Sequence, residues 1–404
     1  MRIESVDAVH INPPLAARNA DQKPRFSGID TQTVFRLRCD NGVVGYGDTR
    51  GHTTLPQTQV DGLLGRSPFD FVNADLNNGL MGALYDAMGK HLEQPAHKLM
   101  GQKRRERVAV AAWTRPASPE DLAAEVQRAA AEGYLRFKIH TCEYYDVLEQ
   151  NRAVEDVAPP GFLMHYDFNH NRPLIDVLRL VAALERSPVM GLLEDPIVWS
   201  DLEGWRRLRD KTSLPLLMHV PQLGGGPELL SQCADAYMVG EIGLGTSIAR
   251  GFACAAANIS TVIQLTGGTL SKALALHLGA VLPNVAYSTN LDDQYDDDAT
   301  GFRFPVEAGS SPVPEGPGLG VDVDEERLQR LADLPKTQVP RFIGITHLPG
   351  GHRMYTRSFP SVARQTGFNE GTTRGIRLEV WEDDGGADFA AMWQETENGA
   401  VWRG

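Results

Sequence analysis

Four short apolar runs recur at nearly even intervals, and each carries a reactive side chain at or near its end. YLRFKIH holds Lys138 and His140, GFLMHYD ends at Asp167, MGLLED carries Glu194, and LPLLMH ends at His219. Lys138 precedes Asp167 by 29 residues, and the next two steps, to Glu194 and His219, are 27 and 25 residues. One strand, one helix and two short loops consume about that much chain. A parallel βα barrel gathers the C-terminal ends of its strands around one mouth, where its chemistry is built. The spacing therefore brings a base, two carboxylates and an imidazole to one pocket.

The same rhythm extends both ways. VAVAAW begins it near residue 107, followed by SPEDLAAEVQRAAAEG, a helix with Ser118 as N-cap, Pro119 at its first position and Gly133 as stop. DAYMVG, TVIQLT and VAYS supply the later strands, with helices between. These runs are apolar throughout, as strands covered on both faces should be. They predict an α/β architecture: a modified (β/α)8-type, TIM-like barrel over residues 107–291. Residues 1–106 break the rhythm. IESVDAVHI reads as a strand, TVFRLRCDNGVVGYGDT as a hairpin turning at Asp40-Asn41-Gly42, and Val72 to Met100 as helical. Strands followed by a helix predict an α+β capping domain. Residues 292–404 carry a Pro/Gly linker, a short helix from Asp322 to Leu334, and strands and loops. They are expected to return to the cap or to build an interface.

At 404 residues the chain exceeds one ordinary core, which agrees with more than one domain. A net charge of −13 argues against nucleic acid or an anionic membrane as partner. It leaves a small anionic substrate open, because one local cation can dominate a pocket. Cys39, Cys142, Cys233 and Cys254 are scattered and form no CxxC, so reduced thiols in a cytoplasmic protein are expected. No signal peptide or membrane span is expected from the N-terminus.

In order and at these distances, FKIH, DFN (Asp167, Asn169), LLEDP (Glu194, Asp195, Pro196), LPLLMHVPQ and HLGAVLPN resemble the enolase superfamily. The nearest branch is that of mandelate racemase and muconate lactonizing enzyme. The resemblance covers about residues 1–335, through GPGLGVDVDEERL. It implies a Mg²⁺ held by three carboxylates that binds the substrate's carboxylate, while a base removes the neighbouring α-proton. The charge logic is direct. Losing that proton creates a dianionic enediolate, which a divalent cation offsets, and a Lys or His accepts the proton.

Residue by residue, Asp167 and Glu194 match the first two ligand positions. The third, usually acidic, falls on Val220 or His219 according to a one-residue register. His219 as ligand shifts the preference toward Mn²⁺, Fe²⁺ or Zn²⁺; a structural histidine is the alternative, and Glu241 is a substitute ligand. Where relatives read Lys-x-Lys, this chain reads Lys138-Ile139-His140. His140 then stands at the base position, and Lys138 tunes it, touches substrate, or forms a buried ion pair. The seventh-strand histidine found in many relatives is replaced by IQLTGGT, which disfavours a two-base racemase. Asn169, His52 and Glu241 are the candidates for substrate contact. Arg50 and His52 lie either in a cap loop over the mouth or in a solvated loop. His165 reads as a core histidine and LGGGP as a turn. His347, His352, Arg353 and Tyr355 suit either carboxylate binding or a subunit interface. Specificity is expected from residues 15–30 and 50–55.

The expected activity is a lyase or isomerase acting on a hydroxy-carboxylate, with sugar-acid dehydration first. The alternatives are a divergent member without the metal cage that uses His140, Lys138 and His219, or a non-catalytic binder of a small acid. Self-association into a homo-oligomer is expected for a barrel with an exposed extra segment.

Overall fold

The computed structural model describes residues 1–17, 29–219, 221, 226–358 and 371–404. Eight parallel strands close a barrel: β4 (Arg107–Thr114), β5 (Arg136–His140), β6 (Leu163–Asp167), β7 (Met190–Glu194), β8 (Leu216–Met218), β9 (Ala236–Gly240), β10 (Ser260–Gln264) and β11 (Val285–Thr289). Closure comes from β11 pairing with β4, Ser288 opposite Val110 and Thr289 opposite Ala111. The amphipathic runs between the strands fold as expected. Ser118 caps the first barrel helix by accepting the Asp121 N–H at 3.1 Å. Gly133 ends it at φ +95°, where a Cβ would lie 2.4 Å from the Val306 carbonyl.

Strand alternation fixes what faces inward. Ala111, Leu192, Leu217, Ala236, Met238, Val262 and Tyr287 form a closed apolar cluster inside the barrel. One step further along the same parity come Trp113, Glu194, His219, Gln264 and Thr289. The barrel is thus plugged with hydrocarbon below and lined with polar groups above.

Residues before the barrel form an antiparallel sheet, β1 (Ile3–Ile11), β2 (Gln32–Cys39) and β3 (Val44–Arg50), covered by α1 (Asn78–Leu92). The helix is shorter than the Val72–Met100 span that periodicity predicts. The Asn77 side chain caps its start, and Glu93 ends it in the left-handed conformation just before Pro95. Helix and sheet meet closely at Gly45 and Gly47, where a Cβ would lie 2.1 Å from the Ala83 and Gly79 carbonyls respectively. β3 then runs onto the barrel. The Asp48 carboxylate accepts the Gly268 and Ser271 N–H groups, and the Arg50 N–H donates to the Thr266 carbonyl at 2.7 Å.

After the barrel, β12 (Ser310–Pro312) pairs antiparallel with the start of β4, and the helix Glu325–Asp333 meets β1. A four-stranded antiparallel sheet follows, in the order β15 (Arg377–Glu382), β13 (Phe342–His347), β14 (Arg353–Thr356), β16 (Val401–Arg403). Phe342 and Met354 pack on Cys142, Tyr144 and Tyr145, so this sheet covers the loop after β5. The helix Ala387–Glu395 closes its other face through Phe389. Among the described residues no helix is long and apolar enough to cross a membrane.

Candidate active site at the barrel mouth

The register of the first barrel strands stacks the reactive residues side by side: His140 opposite Asp167, and Asp167 opposite Glu194. One layer down, Lys138 lies opposite His165. Metal-ligating atoms of Asp167, Glu194 and His219 all fall within 4.8 Å of one another. Val220, the other third-ligand candidate, lies outside the described residues.

Glu194 is the hub. It is fully buried, with His219 Nδ1 2.7 Å from Oε1, and Lys138 Nζ and His165 Nε2 each 2.6 Å from Oε2. Burial works against its charge, but Lys138 and His219 outweigh burial and hold the carboxyl well below its usual range. Neither oxygen receives a well-aligned hydrogen bond from these nitrogens. A buried carboxylate surrounded by charge yet left with free acceptor directions fits a cation ligand.

Lys138 also reaches Asp167 Oδ2 at 3.2 Å and donates to Gln264 Oε1 at 2.8 Å. Burial would strip its proton, but Glu194 and Asp167 outweigh that and raise its pKa, so the ammonium stays charged. Lys138 is therefore a cation in an ion pair, not a free amine. His140 differs. Its Nδ1 lies 2.8 Å from Asn169 Oδ1 and 3.3 Å from Asp167 Oδ2. Both are acceptors, so the proton sits on Nδ1 and the Nε2 lone pair is free. Burial, aided by the Lys138 charge, lowers the His140 pKa and keeps the ring neutral. Trp113 meets that ring edge-on at 5.9 Å.

His219 bridges to Glu241, its Nε2 3.2 Å from Oε2. Burial opposes its charge, yet Glu194 and Glu241 lift its pKa to about 11. Glu241 accepts a second bond from the Thr266 hydroxyl at 2.9 Å. Against burial, the His219 contact brings its carboxyl down to about 2. A cavity of about 140 Å³ opens over these groups, lined by Arg50, Trp113, His140, His219, Glu241 and Gln264 among others. A larger one, about 450 Å³, lined in part by Tyr134, Asp292, Asp293 and Arg303, opens elsewhere and shares no residue with it.

The match to the enolase C-terminal domain-like family model spans residues 121–327, the stretch that carries all of this geometry except Arg50 and Trp113. The chain belongs to the enolase superfamily. Within the superfamily it falls in the mandelate racemase and muconate lactonizing branch. It is 27% identical to a D-galactonate dehydratase of Variovorax paradoxus S110, over 64% of this chain and 73% of that one. It is 23% identical to an N-succinyl-L-Arg/Lys racemase of Bacillus cereus, over 74% of this chain and 89% of that one. A proposed L-alanine-DL-glutamate epimerase from Burkholderia xenovorans LB400, solved with magnesium and fumarate, superposes with a TM-score of 0.67 at 16% identity. That alignment covers 82% of this chain and 96% of the other.

For this superfamily member, the structure brings Lys138, His140, Asp167, Asn169, Glu194, His219 and Glu241 to one mouth. It sets His52 apart: its ring stacks on His10 at 4.6 Å, and it does not line the cavity. Asn169 turns its amide to His140 rather than outward. His347 pairs with Glu379 on the C-terminal sheet, away from the mouth. Two contributors, Gln264 and Trp113, escaped sequence reasoning, while His165 is the buried, partnered core histidine that was expected. Gln264 ends TVIQ on β10, a position the strand rhythm identifies but whose amide gave no signal. His165 touches Glu194 and hydrogen-bonds the Tyr287 hydroxyl at 2.8 Å. Trp113 lies on the inward parity of β4.

Proposed function

We propose that this chain is a divalent-metal-dependent lyase or isomerase that abstracts the α-proton of a hydroxy-carboxylate. Sugar-acid dehydration is the reaction favoured by the galactonate dehydratase relatives. One observation carries the reading: the clustered donor atoms of Asp167, Glu194 and His219 lie beside a histidine kept neutral at the open mouth. Mg²⁺ or Mn²⁺ held by those three side chains would offset the charge that builds on the substrate carboxylate as the proton leaves. Their mixed carboxylate and imidazole set admits Mn²⁺ alongside Mg²⁺, with His219 giving up the proton it holds against Glu194 as the ion binds.

The chain's own groups divide the remaining work. His140 Nε2 accepts the α-proton, and Asn169 holds the ring by its Nδ1–H. The resulting imidazolium stands on the face from which the proton left, ready to protonate a departing hydroxyl. Lys138 keeps Asp167 and Glu194 together without itself accepting a proton. Glu241 and Thr266 steady His219 from the opposite side.

A second reading is favoured by the Lys138 ammonium, 2.6 Å from Glu194. That fixed charge offers part of what a metal offers, so proton abstraction without an ion is the alternative. Deuterium exchange separates the two. Sugar acids incubated in D₂O with the protein, plus Mg²⁺, Mn²⁺ or chelator, are followed by NMR. Exchange that needs metal and disappears in Glu194→Gln supports the first reading. Exchange that survives chelator but fails in His140→Asn supports the second. Absence of exchange under every condition, with no calorimetric metal binding, would sink both.

A further inference from the structure

Two arginines, one lining the cavity and one beside its Trp113 wall, have no ion pair among the described residues. Arg115 follows β4 on the same inward parity as Trp113, and its guanidinium lies 5.1 Å from the Trp113 ring centre. Its Nε and Nη2 are shielded from solvent and meet no acceptor among the described residues. Arg50, at the end of β3, lines the cavity, and no ion pair engages it among the described residues. The two cations act on each other and on the buried Tyr295. The Tyr295 hydroxyl and the Gln32 amide lie against each other in the interior, with Tyr295 also bordering the larger cavity, and neither Tyr295 Oη nor Gln32 Nε2 makes an aligned bond among the described residues. The neighbouring carboxylates have other partners as well: Asp30, which acts on Arg115, faces Lys336 at 4.0 Å, Asp48 serves Gly268 and Ser271, and Glu241, which acts on Arg50, is held by His219 and Thr266. Like charges brought together with idle donors are costly unless an anion joins them.

We infer that Arg50 and Arg115, with the Gln32 amide and the Tyr295 hydroxyl, form a subsite for a second anionic group of the substrate, a carboxylate or a phosphate. This rests on the α-proton reading above and narrows its substrate class to acids anionic at both ends. The guanidinium fork matches either anion in a bidentate way. The two contacts that Trp113 makes, 5.1 Å to Arg115 and 5.9 Å to His140, put the guanidinium no more than about 11 Å from the base. One small molecule spans that.

The test uses ligands that share a backbone and lack stereocentres: butyrate, glutarate and 4-phosphonobutyrate, titrated by calorimetry into the Mg²⁺-loaded full-length protein. At least one dianion is expected to bind about tenfold or more tighter than butyrate. Whichever dianion gains more identifies carboxylate or phosphate as the second group. Arg115→Gln and, separately, Arg50→Gln should shrink that ratio toward one and leave butyrate affinity unchanged. Arg115→Lys should fall between. Melting curves check that each variant folds, and Arg50 is exposed enough to tolerate change. Equal binding of all three acids, no binding by either dianion, or a ratio that survives both Gln variants would overturn the subsite. Failure of the metal reading looks different: Glu194→Gln would then leave all three affinities untouched.

Discussion

The two halves of the barrel mouth differ in kind. From β5 to β8 the strand ends present Lys138, His140, His165, Asp167, Glu194 and His219, all within one network of close charged contacts. From β9 to β11 they present Glu241, Gln264, Thr266 and Thr289. Only Glu241 there can ionise, and the His219 contact depresses it to about 2, too weak to act as a base. Titratable groups are therefore concentrated on one side, and neutral polar groups on the other. An inversion that passes a proton between two opposed bases has no second base among the described residues. Reactions that begin and end on one face, such as elimination of water or cycloisomerisation, suit this mouth.

Four measurements test that contrast. Glu194→Gln strikes the charged half at its hub; α-proton exchange should drop on the order of 10³-fold or more, with loss of calorimetric Mg²⁺ binding. His140→Asn keeps a bond to Asn169 but removes the base, and should cost about 10²–10⁴-fold in exchange. Thr266→Ala and Thr289→Ala, on the neutral half, should each change it by less than about tenfold. A Thr variant as damaging as His140→Asn would erase the asymmetry. Lys138→Met leaves two buried carboxylates without their cation. It should lower stability by about 3–5 kcal/mol in urea denaturation, and saturating Mg²⁺ should restore much of that.

The smallest effect concerns the clamp between the cap and the neutral half. Burial raises Asp48 to about 7 despite the N–H groups it accepts. Its folded pKa thus exceeds the unfolded one, so the native state binds the extra proton between the two. Its contribution is complete below the unfolded pKa and is lost as pH rises toward 7. Between pH 7 and 5 the wild type should gain on the order of 1–2 kcal/mol relative to Asp48→Asn. A constant difference in urea midpoint stability across that range would contradict the burial argument.

Much of this was legible from periodicity. The strand rhythm predicted the closed barrel, and carboxylates at two successive strand ends brought Asp167 and Glu194 to one mouth. Alternation put Lys138 and His140 on the inward face. It could not choose their partners, because a partner is set by the barrel's stagger and by side-chain reach. Lys138 thus read as a tuning group or a substrate contact, with half of an ion pair as the alternative, and only the 2.6 Å approach to Glu194 distinguishes these. His52 misled for a related reason. It sits two residues beyond Arg50, at the end of a strand aimed at the mouth, yet its ring turns back onto His10. The C-terminal sheet was dimly visible as strands. Its helix Ala387–Glu395 was not anticipated, and its docking partner lies more than two hundred residues upstream, where no local pattern reaches.

That docking reaches the loop after His140. The Gly371 N–H donates to the Cys142 carbonyl at 2.7 Å and its carbonyl accepts the Val147 N–H at 3.1 Å, while Arg374 and the Gly375 N–H hold Asp146. Asp146 in turn caps the helix Val147–Glu155 through the Leu148 N–H. The tail behaves as a clasp on the segment that follows His140. A protease nick or truncation beyond residue 338 would leave the barrel standing, but its signature would be a Cys142 thiol newly open to alkylation and a His140 imidazole left slack.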